Sequence, residues 1–324
     1  MQVVERVLAD LGPYLEAVER ELRQASDDSG PQMREITRHM VEAGGKRLRP
    51  ILTLLSARVF GEDLEKTVPI AAAAELIHMA TLAHDDVIDE ATTRRGALTV
   101  NSRWDNHTAV LAGDVLLARA LVMLVDHGSP AIVRIMADMI RRMCDGEIEQ
   151  KASLNRLDQT EADYFDRIEK KTALFFAACC ESGALHQGAE PHHVRALAEY
   201  GRDIGMAFQV VDDLLDVSGE AEVVGKPTGN DLAAGVITLP VLYLLRQDGE
   251  AGRRARELLR EAPYTRAQID EVLALVRQNG AVEYSRKVAE DFARRAREHL
   301  LELPASPGRD MLADVADELL RRVY

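Results

Sequence analysis

Apolar residues recur along this chain at intervals of three and four almost from end to end. Leu8, Leu11, Leu15, Val18 and Leu22 mark one face of an amphipathic helix. Comparable stripes predict helices over 33–43, 64–88, 108–125, 131–152, 161–186, 194–217 and 236–245. No alternating run is long enough for a strand of more than a few residues. Turn residues separate the stripes at Gly44-Gly45, Gly128-Ser129-Pro130, Gly188 with Pro191, Gly219, and Gly225 through Gly229. Pro130 and Pro240 suit the first turns of helices. From about residue 249 the chain is richer in Arg and Glu, with shorter helical patterns over 266–279, 281–301 and 309–322. No Pro/Gly/Ser-rich linker sets this tail apart. The expectation is an all-α fold, one large helical bundle with a central cavity over 1–324, with 249–324 as peripheral helices of the same domain.

Composition narrows the class. At 324 residues, 47% of them hydrophobic and 29% charged, the chain can bury a sizeable core. A net charge of −14 with only 4% aromatic residues argues against nucleic acid as a partner, for want of both phosphate contacts and stacking platforms. Cys144, Cys179 and Cys180 form neither a disulfide framework nor a zinc-ligand spacing, and the adjacent pair in the apolar run 174–180 reads as buried thiols. Glu5, Arg6 and Asp10 rule out a secretory signal. The apolar stretch 68–83 is interrupted by Glu75 and His78 and is too short to span a bilayer, so no membrane insertion is expected. A soluble, cytoplasmic protein is the reading.

Two aspartate clusters stand out, Asp85-Asp86-Val87-Ile88-Asp89 and Asp212-Asp213-Leu214-Leu215-Asp216, each ending an apolar-striped helix. Positions i and i+4 share a helix face about 5–6 Å apart, so two carboxylates there repel. The C-terminal end of the helix dipole disfavours them further. A cation between the side chains resolves both problems, and hard oxygen donors with few other ligands suit Mg²⁺ that keeps water and shares substrate phosphates. A solvated acidic helix end would explain one such cluster, but the repeated spacing points to paired carboxylate sets around an anionic, phosphorylated substrate. Cations supply the counterpart: Lys46, Arg47 and Arg49 beside Gly44-Gly45, Arg94-Arg95-Gly96 after the first cluster, Lys171-Thr172, and Gly225-Lys226-Pro227. The chain has 7 lysines against 33 arginines, and three of the seven fall in these motifs.

Taken in order, Gly-Gly-Lys-Arg-Leu-Arg-Pro, Asp-Asp-x-x-Asp with Arg-Arg-Gly, Lys-Thr, Phe208-Gln209 and the second Asp-Asp-x-x-Asp make the sequence resemble the trans-isoprenyl diphosphate synthases, from about residue 40 to 245. That resemblance implies head-to-tail prenyl transfer. It places isopentenyl diphosphate on Lys46, Arg49, His78 and Arg95. The allylic diphosphate falls to Arg94, Lys171, Thr172, Gln209 and Lys226, clamped through Mg²⁺ by Asp85, Asp89 and Asp212. Asp86, Asp213 and Asp216 complete the acidic shells. Ionisation of the allylic C–O bond then gives a cation facing the Lys171 carbonyl, the Thr172 hydroxyl and Gln209. A homodimer is expected from the family alone. His84 lacks motif support and is taken as structural.

Product length follows from small residues upstream of the first cluster. A helical turn of about 5.4 Å is close to one isoprene unit. In this family bulky aromatics four and five residues before the first Asp stop the chain early. Here those positions are Thr81 and Ala80, with Ile77, Leu76 and Ala73 behind and Leu121 and Leu124 as the expected floor. A medium or long product is the reading, with geranylgeranyl diphosphate as the alternative. A terpene cyclase would not need the isopentenyl-binding motif. A regulatory subunit would lose one aspartate motif, although a catalytic subunit that needs a partner remains open. One position departs from the family: Val236 stands where many members have a lysine toward the allylic diphosphate. Val236→Lys is therefore expected to lower the KM for the allylic substrate, and an unchanged value overturns that reading of the position.

Overall fold

The protein is seen in a computed structural model that describes residues 2–218 and 228–321. Helices follow one another as α1 (Gln2–Asp27), α2 (Pro31–Glu42), α3 (Leu48–Arg58), a 3₁₀ turn at Glu65–Thr67, and α4 (Val68–Ile88). A hairpin of β1 (Thr93–Arg94) and β2 (Ala97–Leu98) leads to α5 (Val100–Arg103), α6 (Asn106–His127), α7 (Pro130–Ala152) and α8 (Glu161–Ile168). A π-helical turn, Glu169–Ala173, precedes α9 (Leu174–His186), α10 (Pro191–Ser218), α11 (Asn230–Ala233), α12 (Leu239–Leu245) and α13 (Glu250–Leu258). The chain ends with α14 (Arg266–Gln278), α15 (Ala281–Leu300) and α16 (Pro307–Arg321). Contacts divide it into two units: 1–136 with 179–197 and 303–312, and 137–178 with 198–302 and 313–324.

The first unit is organised by α4. Ala71 to Ala74 are fully buried, and such small side chains let α1, α3 and α6 pack closely on this helix. Asp105 starts α6 by accepting from the Thr108 amide at 2.7 Å. The hairpin pairs Thr93 with Leu98 and Arg94 with Ala97. Its two turn residues, Arg95 at φ 53° and Gly96 at φ 80°, are both left-handed, as a tight two-residue turn requires. In the second unit Tyr164, Val210, Leu214, Leu242, Val272 and Ala289 share one core. Thr160 and Asp163 form a reciprocal cap on α8, and Thr265 with Gln268 does the same for α14.

Several sequence expectations change. Helices α13 to α15 supply Ala255, Leu258, Ile269, Val276 and Ala289 to the second unit's core, so they are integral to it and not an outer layer. Helix α3 carries no readable stripe because Pro50 and Leu52 to Ala57 are buried on all sides. The continuous stripe 161–186 is broken by the π turn, and the segment from Val236 becomes helical only at Leu239. Among the described residues α6, and not the stretch 68–83, is the one helix long and apolar enough to cross a membrane by length and composition. Helix α6 packs on α4 and buries Ala109, Ala112, Leu116, Ala120 and Leu124, while another side exposes Val122 and Val125.

Gly183 of α9 meets the backbone of α3 so closely that an added Cβ would collide with the Thr53 carbonyl oxygen. Gly183→Ala is expected to destabilise the protein by about 1–3 kcal/mol, read as a lower denaturant midpoint at unchanged slope.

Candidate active site

In the first unit the turn between α2 and α3 uses two left-handed residues, Gly44 at φ 68° and Arg47 at φ 50°. It turns Arg47 inward, with Nε 2.5 Å from Glu19 Oε1 and Nη1 3.0 Å from Glu75 Oε1. Lys46 is exposed on the turn. Arg95, from the hairpin tip, donates to the Gly44 carbonyl, and a Cβ at Gly45 would lie 2.5 Å from its Nη1. Only glycine leaves room for that approach. Arg49 stands in the first turn of α3 and His78 near the middle of α4. Burial, then Arg49, Arg95, Arg94 and Arg47, hold the His78 imidazole well below its usual pKa, so it is neutral among cations. Burial also lowers Arg49 and Arg95, against the opposing pull of Glu75. The structure thus gathers Arg49, His78 and Arg95, with Arg94 in range.

The three aspartates of the first motif separate. Asp86 is buried, and its Oδ1 accepts from Arg94 Nε at 2.8 Å. Burial raises its pKa and Arg94 opposes the rise. Asp85 is half-buried, while Asp89 is exposed just past the last turn, its amide on the Asp85 carbonyl at 2.8 Å. His84 reaches the Val110 carbonyl of α6 at 3.2 Å, which is a packing role.

In the second unit the π turn widens the helix where Lys170 and Lys171 both reach α7. Lys170 meets Glu149, and Lys171 Nζ meets Glu147 at 2.8 Å. The Thr172 hydroxyl donates to Gln209 Oε1 at 2.7 Å, and Gln209 Nε2 donates to Asp213 Oδ1 at 2.8 Å. The Tyr164 hydroxyl donates to the other Asp213 oxygen at 2.7 Å. Burial pushes Asp213 up to about 6 despite these donors, with Asp212 pushing the same way. Asp212 is exposed. Asp216 accepts from the amides of Asn230 and Asp231, both at 3.1 Å, and so fixes the start of α11. Burial and then Asp213, Asp216 and Asp212 raise Asp231 well above the usual carboxylate range, while Lys171 pulls it down.

Lys226 lies outside the described residues. Val236 is half-buried, its amide on the Asp231 carbonyl at 2.8 Å. Of the chain-length positions, Ile77 and Ala80 are buried and Thr81 bonds back to the His78 carbonyl at 2.9 Å. Leu121 is not brought to them: it is 36% exposed on α6, whereas Leu124 is fully buried. Cys179 and Cys180 are buried thiols, the first pushed up to about 12.

Among the described residues no three His, Cys, Asp or Glu side chains are placed to enclose a metal ion by themselves. The donors at hand are carboxylate oxygens. That chemistry fits a hard divalent cation completed by water and phosphate oxygens. Tyr164, Glu147, Asp231 and Glu75 escaped the sequence reading. Only Glu75 left a signal there, as a charge inside an apolar run three residues before His78.

The polyprenyl synthetase family profile matches residues 30–276. The chain is 40% identical over 316 residues to "Heptaprenyl diphosphate synthase component 2" of Geobacillus stearothermophilus, covering 97% of each. It is 37% identical over 324 residues to "Short chain isoprenyl diphosphate synthase" of Methanothermobacter thermautotrophicus, covering 98% of this chain and 99% of the relative. The crystal structure of a polyprenyl synthase from Caulobacter crescentus CB15, complexed with calcium and isoprenyl diphosphate, superposes with a TM-score of 0.92 at 33% identity, over 98% of this chain and 97% of that one.

Removing the Tyr164 hydroxyl deletes a donor that lowers the Asp213 pKa. In metal-free Tyr164→Phe, the Asp213 carboxyl is expected to titrate above its value of about 6 in the parent protein. Carbon-detected NMR across pH 4–8 reads this, and an unmoved or lowered midpoint contradicts it.

Proposed function

We propose that this chain, which belongs to the polyprenyl synthetase family, holds isopentenyl diphosphate on its arginine cluster and lengthens an allylic diphosphate to a medium or long all-trans product. The family's chemistry is trans-prenyl transfer, and the chain is a prenyltransferase. We read 1–324 as working as one synthase domain. The observation that carries the assignment is the gathering of Arg49, Arg95 and a neutral His78 beside the Gly44–Arg47 turn. Partly desolvated guanidinium groups that repel one another are stabilised by a multivalent anion.

On this reading Lys46, Arg49, His78 and Arg95 orient isopentenyl diphosphate, while Arg94, Lys171 and Lys226 neutralise the allylic diphosphate. Asp85, Asp89 and Asp212 would hold Mg²⁺, which when bound stabilises charge on the leaving diphosphate. Asp86, Asp213 and Asp216, each tied to protein donors, fix the motifs. The allylic C–O bond breaks with its electron pair on the diphosphate. The Lys171 carbonyl and the Thr172–Gln209 pair present oxygen dipoles to the allylic cation. The isopentenyl double bond supplies the pair for the new C–C bond, and the departing diphosphate takes the proton lost afterwards.

The relatives' names span short and heptaprenyl products, so the residues decide length. Ile77, Ala80 and Thr81 set no aromatic stop. With about one isoprene unit per turn, roughly thirty to fifty carbons fit, and Leu124 replaces Leu121 as the floor. A second reading, that activity needs another subunit, draws on the exposed apolar strip of Leu111, Val122 and Val125. It also draws on the "component 2" in the Geobacillus relative's name. The same strip suits a homodimer.

Purified protein with Mg²⁺, labelled isopentenyl diphosphate and farnesyl diphosphate is expected to give a product ladder ending at about six or more isoprene units, and Thr81→Phe to shorten it. A ladder unchanged in Thr81→Phe removes the ruler. Incorporation only after a second component is added favours the subunit reading; none with either overturns the assignment.

A further inference from the structure

Glu75 has no part in the reaction as described above. It lies one helical turn before His78 in the otherwise apolar run 70–77, and only 2% of it is exposed. Oε1 accepts from Arg47 Nη1 at 3.0 Å, while Oε2 is buried without a hydrogen-bond partner. A buried carboxylate is costly, and an unmatched oxygen more so. Packing gives no reason for it, since an alanine-rich helix could continue through this position. Arg47 gives little more, because Glu19 already meets its Nε at 2.5 Å and its Nη2 at 3.3 Å. What remains is the company it keeps. Arg47, Arg49 and Arg95 all feel the Glu75 charge against a burial that opposes their own: Glu19 and Glu75 carry Arg47 above its ordinary value, whereas burial leaves Arg49 and Arg95 lowered.

We propose that Glu75 is a positioning residue for isopentenyl diphosphate, its buried carboxylate pinning Arg47 and offsetting the repulsion that would spread Arg49 and Arg95 away from His78. Its second oxygen is the acceptor on which a cluster guanidinium closes when the diphosphate arrives. This rests on reading the arginine cluster as the isopentenyl diphosphate site. It extends that reading to a group that does not itself touch the substrate.

The test uses the full-length protein as wild type, Glu75→Gln, Glu75→Asp and Arg95→Ala, with KM for each substrate, kcat, and thermal unfolding by circular dichroism. Glu75→Gln is expected to raise the isopentenyl KM about tenfold or more while the allylic KM stays within about twofold. Glu75→Asp keeps the charge on a shorter arm and is expected to recover a large part of that loss. Unchanged KM values in folded Glu75→Gln overturn the proposal. So does an equal rise in both with a lowered melting temperature and no recovery in Glu75→Asp, which is the signature of packing alone. If Glu75→Gln does not fold, Glu75→Asp decides: a selective rise in the isopentenyl KM supports the role, and none overturns it. Arg95→Ala checks the underlying reading separately, because an unchanged isopentenyl KM there means that the cluster is not that substrate's site.

Discussion

Like charge gathered where water is scarce is the constraint on which the rest of this structure depends. In the first unit burial, reinforced by four arginines, holds one histidine neutral. In the second, burial and then Asp213, Asp216 and Asp212 drive the pKa of Asp231 up. Each cluster is unfavourable by itself, and it is the kind of surrounding that a group of opposite sign relieves. Both clusters sit against well-buried surroundings. Around α4 a run of fully buried alanines fixes the helix, and around α10 a core of Val210, Leu214 and Leu242 does the same. Local compensation then trims the strain, through Glu19 and Glu75 on Arg47 and through Tyr164 and Gln209 on Asp213.

The spacing of the aspartates divides their labour. Neighbours on a helix point about 100° apart, so the first and second Asp of a motif cannot serve one face. In both motifs the second is buried and satisfied by the protein, Asp86 by Arg94 and Asp213 by Tyr164 and Gln209. The first and third share the i, i+4 face and stay nearer solvent, where a cation with water could be shared. The symmetry ends at Asp216, which is spent on the backbone of Asn230 and Asp231. In the second motif Asp212 is the exposed aspartate, whereas in the first Asp89 is exposed and Asp85 half-buried.

Much of this was legible in the sequence, because periodicity reports one-sided burial and motif order reports chemistry. The long helices and the placement of Arg49, His78 and Arg95 follow from such patterns. What was not legible depends on contacts between distant residues. The π turn at Glu169–Ala173 interrupts a helical stretch that the sequence reads as one stripe, and there Lys170 and Lys171 pair with Glu149 and Glu147. Leu121 and Leu124 look alike in a run of apolar letters, yet one is outside and the other inside. The tail from 249 reads as peripheral because each helix shows a single stripe, but those stripes converge on one core.

Helix α6 shows how far composition can mislead. By length and composition it could span a bilayer, yet it carries Asp114, Arg119 and Asp126, and Arg119 donates to the Asp28 carbonyl at 2.6 Å. Ala109, Ala112, Leu116, Ala120 and Leu124 are already committed to the unit's interior. The excess hydrophobicity therefore belongs to a second strip, where Val122 is 54% and Val125 66% exposed. Solvation does not favour such a strip. A helix apolar on two faces and charged between them is matched to two packing partners, and only one of them lies in this unit. That is the pattern on which the proposal of a second polypeptide chain draws, and it falls on the same helix that packs against the one carrying the first aspartate motif.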